Sequence, residues 1–246
     1  MTAPVVLITG AARRVGAEIA RMLHAAGADL LLHYRSSAAE AEALAVELNA
    51  RREKSTLARR QDLRDVAGIA RLVEETVAGF GRLDALVNNA SSFFHTPVGA
   101  IDEAAWDDLV GSNLKGPLFL SQAAAPHLAQ TQGCIVNITD IHAERPLKGY
   151  PVYSVAKAGL LGLTRALALE LAPQVRVNAV APGAIEWPEN DAQFPPAERQ
   201  AIIDHTLLKR TGSPADIART VKFLIFDAPY VTGQVINVDG GRTARL

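Results

Sequence analysis

The chain has 246 residues, nearly half of them hydrophobic, and a formal net charge of −1. That composition supports a large buried core and carries no electrostatic footprint for nucleic acid or an anionic membrane surface. Six scattered histidines offer no metal-ligand spacing, so no metal is expected, and the single cysteine, Cys134, sits in the apolar run Cys134-Ile135-Val136, where it reads as a small buried hydrophobe.

The opening MTAPVVLITG runs straight into a strand with no charged leader or signal core, and no apolar run is long enough to span a bilayer. A cytoplasmic location is expected, with no membrane partner. Apolar runs at Val5–Thr9, Asp29–Tyr34, Leu83–Asn88, Cys134–Thr139, Arg176–Val180 and Val235–Val238, with a weaker one near Ser55–Arg60, read as strands. Most lack strict alternation, which suits a parallel sheet covered on both faces. Helical patterns lie between them at Arg14–Ala26, Ala38–Arg52, Val66–Phe80, Glu103–Ala129, Tyr153–Leu171 and Pro214–Phe226. The alternation predicts the α/β class, a doubly wound Rossmann-type parallel sheet in a single domain over 1–246. Pro182–Arg210 breaks the rhythm with Pro182, Pro188, Pro195 and Pro196 and with Trp187 and Phe194 among polar residues. It leaves the carboxyl end of a strand, where doubly wound sheets bind ligands, and reads as a substrate lid at about 184–210.

Thr9-Gly10-Ala11-Ala12-Arg13-Arg14-Val15-Gly16 joins the first strand to the first helix. Gly10 permits a tight turn, Gly16 permits close helix–sheet packing, and the helix N-terminus offers free N–H groups to a pyrophosphate. The second strand ends His33-Tyr34-Arg35-Ser36-Ser37 with no acid to hold a ribose 2′-hydroxyl. Arg35, Ser36 and Ser37, with Arg13 and Arg14 from the neighbouring turn, suit a 2′-phosphate instead, which makes NADPH the expected cofactor. Asp62 is placed either to accept from an adenine amino group or to cap the helix Val66–Phe80. Asn88-Asn89-Ala90-Ser91 ends the fourth strand, where short polar residues either meet the cofactor or shape a turn.

Tyr153 and Lys157 stand at i and i+4, one turn apart on one helix face. A lysine there can lower the phenol's pKa and hold the cofactor ribose, so that the tyrosine serves as a general acid. The pair alone is a common spacing. Its context is a nucleotide turn, Asn-Asn-Ala, Asn113 and a helix that follows the fifth strand.

Over its whole length the chain resembles the short-chain dehydrogenases/reductases, through Thr9-Gly10…Gly16, Asp62, Asn88-Asn89-Ala90, Asn113, Tyr153/Lys157, Pro182-Gly183 and Asp239-Gly240-Gly241. The resemblance implies that Asn113 holds a water in a proton relay with Lys157; otherwise Asn113 is a helix residue bonding the neighbouring strand's backbone. It completes the cofactor-binding set with Val15, Tyr34, Leu63, Asn89, Ala90, Ser91, Pro182 and Gly183, and implies a homotetramer. Three positions depart from the general pattern. Arg14 replaces the middle glycine of the turn, Ser91-Ser92-Phe93 follows Asn-Asn-Ala in place of glycine, and Asp140 replaces the serine that precedes the tyrosine. All three, with HYRSSAAEAEAL and NNASSFF, resemble the pteridine reductase subgroup. That implies a pterin substrate held by Arg14, Ser91, Phe93, Asp140, Tyr153 and Trp187, with Phe93 stacking over the ring. Asp140 suits a ring that needs a proton on nitrogen and acceptors for its N–H groups. Alternatively it caps a helix or pairs with Arg145. The competing readings are a carbonyl or 3-oxoacyl reductase of the same fold and a non-catalytic NADPH-binding module. The latter would be expected to lack Tyr153 or Lys157.

Overall fold

The computed structural model describes residues 3–187 and 194–244. Seven strands form one parallel sheet in the order β3-β2-β1-β4-β5-β6-β7. In chain order they are β1 (Val5–Ile8), β2 (Asp29–Tyr34), β3 (Thr56–Arg60), β4 (Ala85–Asn88), β5 (Cys134–Ile138), β6 (Arg176–Pro182) and β7 (Val235–Val238). The helices are α1 (Arg14–Ala25), α2 (Ala38–Arg51), α3 (Val66–Phe80), α4 (Glu103–Val110), α5 (Gly116–Thr131), α6 (Pro151–Leu171), α7 (Pro196–His205) and α8 (Pro214–Lys222).

The two-residue period of a strand divides its side chains between two cores. Val6, Ile8, Leu30 and Leu32 join Ile19 and Leu23 of α1 and Ile217 and Val221 of α8 on one face. Leu7, Leu31, Leu86 and Ile135 join Leu72 of α3 and Leu120 of α5 on the other. Burial on both faces is why these strands read as continuous apolar runs rather than as alternating ones. Cys134 is buried, and burial pushes its thiol up to about 11, so it behaves as an inert hydrophobe.

Four expectations are corrected. Glu103–Ala129 is not one helix: a π-turn at Gly111–Lys115 separates α4 from α5. Such a turn carries one extra residue and is common at functional sites. A second π-turn, Phe223–Asp227, closes the segment after α8. The region after β6 contains helix α7; Pro188 of the expected lid lies outside the described residues. Finally, α6 is 21 residues long with a mean hydropathy of 1.3 over its most apolar window, enough by length and composition to cross a bilayer. Half of that window is buried within the protein, and the helix carries Tyr153 and Lys157 on its buried side, as a core helix does.

Candidate active site

The sheet order reverses direction between β1 and β4, and the loops after β1, β4, β5 and β6 converge above their carboxyl ends. They enclose a cavity of about 500 Å3 lined by every residue assigned above to the cofactor. Those residues are Gly10, Arg13, Arg14, Val15, Tyr34, Arg35, Ser36, Ser37, Asp62, Leu63, Asn89, Ala90, Ser91, Lys157, Pro182 and Gly183.

The turn after β1 is built around absent side chains. Gly10 has φ +61°, and a Cβ there would lie 2.8 Å from Ala90 Cα. A Cβ on Gly16 would collide with the Gly10 carbonyl and the Asn89 amide. Asn89 ties the β4 loop to this turn: its Nδ2 donates to Thr9 O at 2.9 Å and Gly10 O at 3.0 Å, while Thr9 Oγ1 accepts from the backbone of Asn89 and Ala90. Asn89 therefore both shapes the turn and lines the cavity. Sequence reading missed His33 in this arrangement. Its Nδ1 accepts from Gly10 N at 3.2 Å, its Nε2 lies 2.9 Å from Gln61 O, and burial lowers its pKa to about 4, so the ring is neutral. A histidine inside the apolar run of β2 was the available signal.

The arginines at the adenosine end are engaged with acids. Arg35 Nη1 lies 3.3 Å from Asp108, Arg13 is 3.9 Å from Glu40, and Arg14 Nε is 3.2 Å from Glu186 Oε2. Arg14 also donates to the Glu186 carbonyl at 2.7 Å, and its backbone holds φ +52°, the left-handed region that glycine adopts more cheaply. Asp62 does not cap α3; Asp65 does, accepting from Ala67 N at 3.2 Å. Asp62 is instead gripped by Arg64 at 2.7 Å, which lowers its pKa to about 2, and it still lines the cavity.

At the other end, Tyr153 Oη donates to Asp140 Oδ2 at 2.7 Å. Asp140 Oδ1 accepts from His142 N at 2.8 Å and so caps the short turn Ile141–Ala143. Arg145 is not its partner, because that side chain donates to the Thr243 carbonyl. Lys157 is buried, donates from Nζ to Ile138 O at 2.9 Å, and sits 5.7 Å from the Tyr153 ring centroid. Burial lowers its pKa to about 8 against the opposing pull of Asp140. The phenol does not follow the simple expectation. Burial first, and the Asp140 carboxylate second, push Tyr153 well above its ordinary value, with a hydrogen bond from Ser91 acting the other way.

Asn113 stands one layer behind the cavity, in the π-turn and fully buried. Its Nδ2 donates to Ser92 O and Leu109 O, both at 2.9 Å, and its Oδ1 accepts from Ser91 Oγ at 2.7 Å. It bonds the loop after β4 and reaches the cavity through Ser91. A second cavity of about 280 Å3 adjoins Tyr153 and is lined by Arg14, Ser91, Phe93, Asp140, Tyr153 and Trp187, the residues assigned to the substrate, together with Phe194. Phe93 stacks on Tyr150 with centroids 4.6 Å apart and runs parallel to Phe194 at 6.4 Å, so one of its faces is already covered. Phe194 in turn meets Trp187 at 5.8 Å.

A family model described as enoyl-(acyl carrier protein) reductase matches residues 10–243. The chain is 40% identical to pteridine reductase 1 of Leishmania tarentolae over 98% of this chain and 96% of that protein. It is 38% identical to the 3-oxoacyl-(acyl-carrier-protein) reductase FabG of Staphylococcus aureus, over 96% of each chain, and 37% identical to that of Staphylococcus epidermidis, over 96% and 97%. With these similarities and this site, the chain belongs to the short-chain dehydrogenase/reductase family and is an oxidoreductase of that family.

Proposed function

We propose that this protein reduces a pterin ring at the expense of NADPH. The observation that carries the reading is the Asp140 carboxylate 2.7 Å from the Tyr153 hydroxyl. A ketone reductase needs two donors around the substrate oxygen, and a carboxylate in that place repels the alkoxide that develops there. A reduced-pterin ring presents N–H and amino donors that a carboxylate accepts, and it takes a proton on nitrogen from the tyrosine. The 40% identity to a pteridine reductase supports the same reading, whereas the 3-oxoacyl reductases at 37–38% support the carbonyl alternative.

The cavity of about 500 Å3 runs from the α1 N-terminus to Lys157 and suits a dinucleotide, and Gly10 and Gly16 let the turn after β1 pack against Ala90 and Asn89 at its edge. Bound there, NADPH supplies the hydride. Arg14 and the free N–H groups of α1 hold the pyrophosphate. Arg35, Ser36 and Ser37 take the 2′-phosphate, with Arg35 exchanging Asp108 for it. Lys157 holds the ribose and keeps a positive charge behind the phenol. Tyr153 delivers the proton, Asp140 orients the ring, and Asn113 fixes Ser91 from behind, where a water would join it to Lys157. The face of Phe93 turned away from Tyr150 supplies one wall of the ring site, and Trp187 and Phe194, from the lid at about 184–210, supply the other.

The assembly is proposed to be a homotetramer in the cytoplasm. Exposed apolar residues on α5 and α6, Leu118, Val155 and Leu169, support packing between copies. The function is tested by NADPH oxidation with dihydrobiopterin and with acetoacetyl coenzyme A under identical conditions. Turnover of the dihydropterin is expected. Turnover of the thioester alone would overturn the pterin reading while leaving the reductase intact.

A further inference from the structure

The substrate cavity continues past Tyr153. Leu147, Ile202, His142 and Arg242 line it and also line a neighbouring cavity of about 530 Å3. These four side chains form the partition between the two spaces. Leu147 and Ile202 are apolar, and the His142 ring Nδ1 lies 2.8 Å from the Arg145 carbonyl.

Arg242 is different in kind. It opens the turn Arg242–Ala244 directly after Asp239-Gly240-Gly241, and it is half-buried. Its guanidinium has no hydrogen bond or ion pair among the described residues, and Asp140 and Asp239 act on it only through their charge. A half-buried guanidinium without a direct protein partner keeps its donors available to an anion or a set of acceptors. The cavity beyond has the same sign. Among the described residues, Arg145 and Arg242 face it against one acidic residue, Glu198. On the reaction side the charges offset, because Asp140 and Glu186 line that space together with Arg14 and Arg242. An elongated substrate would therefore meet the Asp140 acceptor beside Tyr153 and the cations Arg145 and Arg242 at the far end.

We infer that Arg242 recognises an anionic extension of the substrate, a carboxylate or phosphate carried through the partition into the second cavity. The inference deepens the function proposed above and rests on its placement of the reacting group at Tyr153; the identity of that group is tested by a separate arm. An arginine offers a planar fork of donors that matches either anion.

The test is isothermal titration of the full-length protein with NADP+ present, using two matched pairs. Dihydrofolate against dihydrobiopterin varies a carboxylate tail, and acetoacetyl coenzyme A against ethyl acetoacetate varies a phosphate tail. In at least one pair the tailed ligand should bind wild type at least about tenfold more tightly, the yield of one charge-assisted hydrogen bond. R242Q should bring that ratio close to one, and R242K should keep most of it. A wild-type ratio near one in both pairs, absence of binding included, overturns the inference without any variant. So does a ratio that R242Q leaves unchanged. Failure of the pterin reading looks different: the ketone pair keeps an Arg242-dependent ratio while neither dihydropterin is turned over.

Discussion

Replacing Asp140 by serine should exchange one substrate class for the other. The carboxylate is a direct hydrogen-bond partner of Tyr153, at 2.7 Å, and faces the substrate cavity. Against a pterin it accepts from ring donors, and a charged hydrogen bond contributes about 1.5–3 kcal/mol. Its loss corresponds to about a 10- to 150-fold fall in kcat/KM. Against a ketone the same carboxylate repels the developing alkoxide. Two unit charges about 4 Å apart at an effective dielectric near 20 repel by about 4 kcal/mol, an upper bound that the nearby Lys157 reduces. Asp140→Ser should therefore raise ketone or thioester kcat/KM by about tenfold or more while lowering that for dihydrobiopterin. The fold should tolerate the change, since serine can still cap the turn at Ile141–Ala143 that Asp140 caps through His142 N. The assay follows NADPH absorbance with both substrates, with Asp140→Asn as a control of equal size. Equal losses for the two substrates, or unchanged pterin turnover, would refute the reasoning.

Tyr153→Phe should bind NADPH normally and lose about 10²–10⁴-fold in kcat, since it removes the proposed acid and leaves the ring packed edge-to-face with Phe93; single-turnover rates check this. Arg35→Ala should weaken NADPH about 10- to 150-fold and leave NADH nearly unchanged, as fluorescence titration of both cofactors would show. Lys157 is held at about 8, below the ordinary lysine value of 10.5, so it is charged below that pH and neutral above it. Since kcat/KM for NADPH reports the free enzyme, it should fall as pH rises through about 8, and a profile flat to pH 10 would remove the charged lysine from cofactor binding. The same depression makes stability rise with pH between about 8 and 10.5, because in that window the unfolded chain binds the proton that the folded one has released. Lys157→Met should abolish that rise in a denaturant series.

The sheet was legible because its strands are buried on both faces, so Val5–Ile8 and Cys134–Ile138 stand out as apolar runs bounded by turn residues. The residues around the cofactor cavity were legible because they follow strand ends, and topology brings strand ends together whatever the loops do. What escaped the sequence depends on geometry across the chain. The π-turn that sets Asn113 behind Ser91 has no local signature, since Gly111–Lys115 continues the helical pattern on either side. The partners of the arginines were equally hidden. Asp108, which holds Arg35 and Arg64, is far from both in sequence. The direction of the Tyr153 shift was misjudged because spacing shows a lysine one turn away but not how deeply the phenol is buried.

Three features of the site work against folding. Arg14 occupies a left-handed backbone position at roughly 1–2 kcal/mol where glycine would sit freely. Lys157 is a fully buried ammonium whose only hydrogen bond among the described residues goes to one backbone carbonyl, Ile138 O. Tyr153 and Asp140 place a carboxylate against a buried phenol and hold its proton on. None of these improves the packing of either core, and an apolar residue at 157 or a glycine at 14 would serve stability better. Strain and desolvation persist where something other than stability maintains them. All three line one continuous space between the α1 N-terminus and α6, and each becomes useful when an anion or a ring N–H arrives there. A non-catalytic nucleotide module gains nothing from a phenol held protonated beside a carboxylate. A reductase that must hand a proton to a ring nitrogen does.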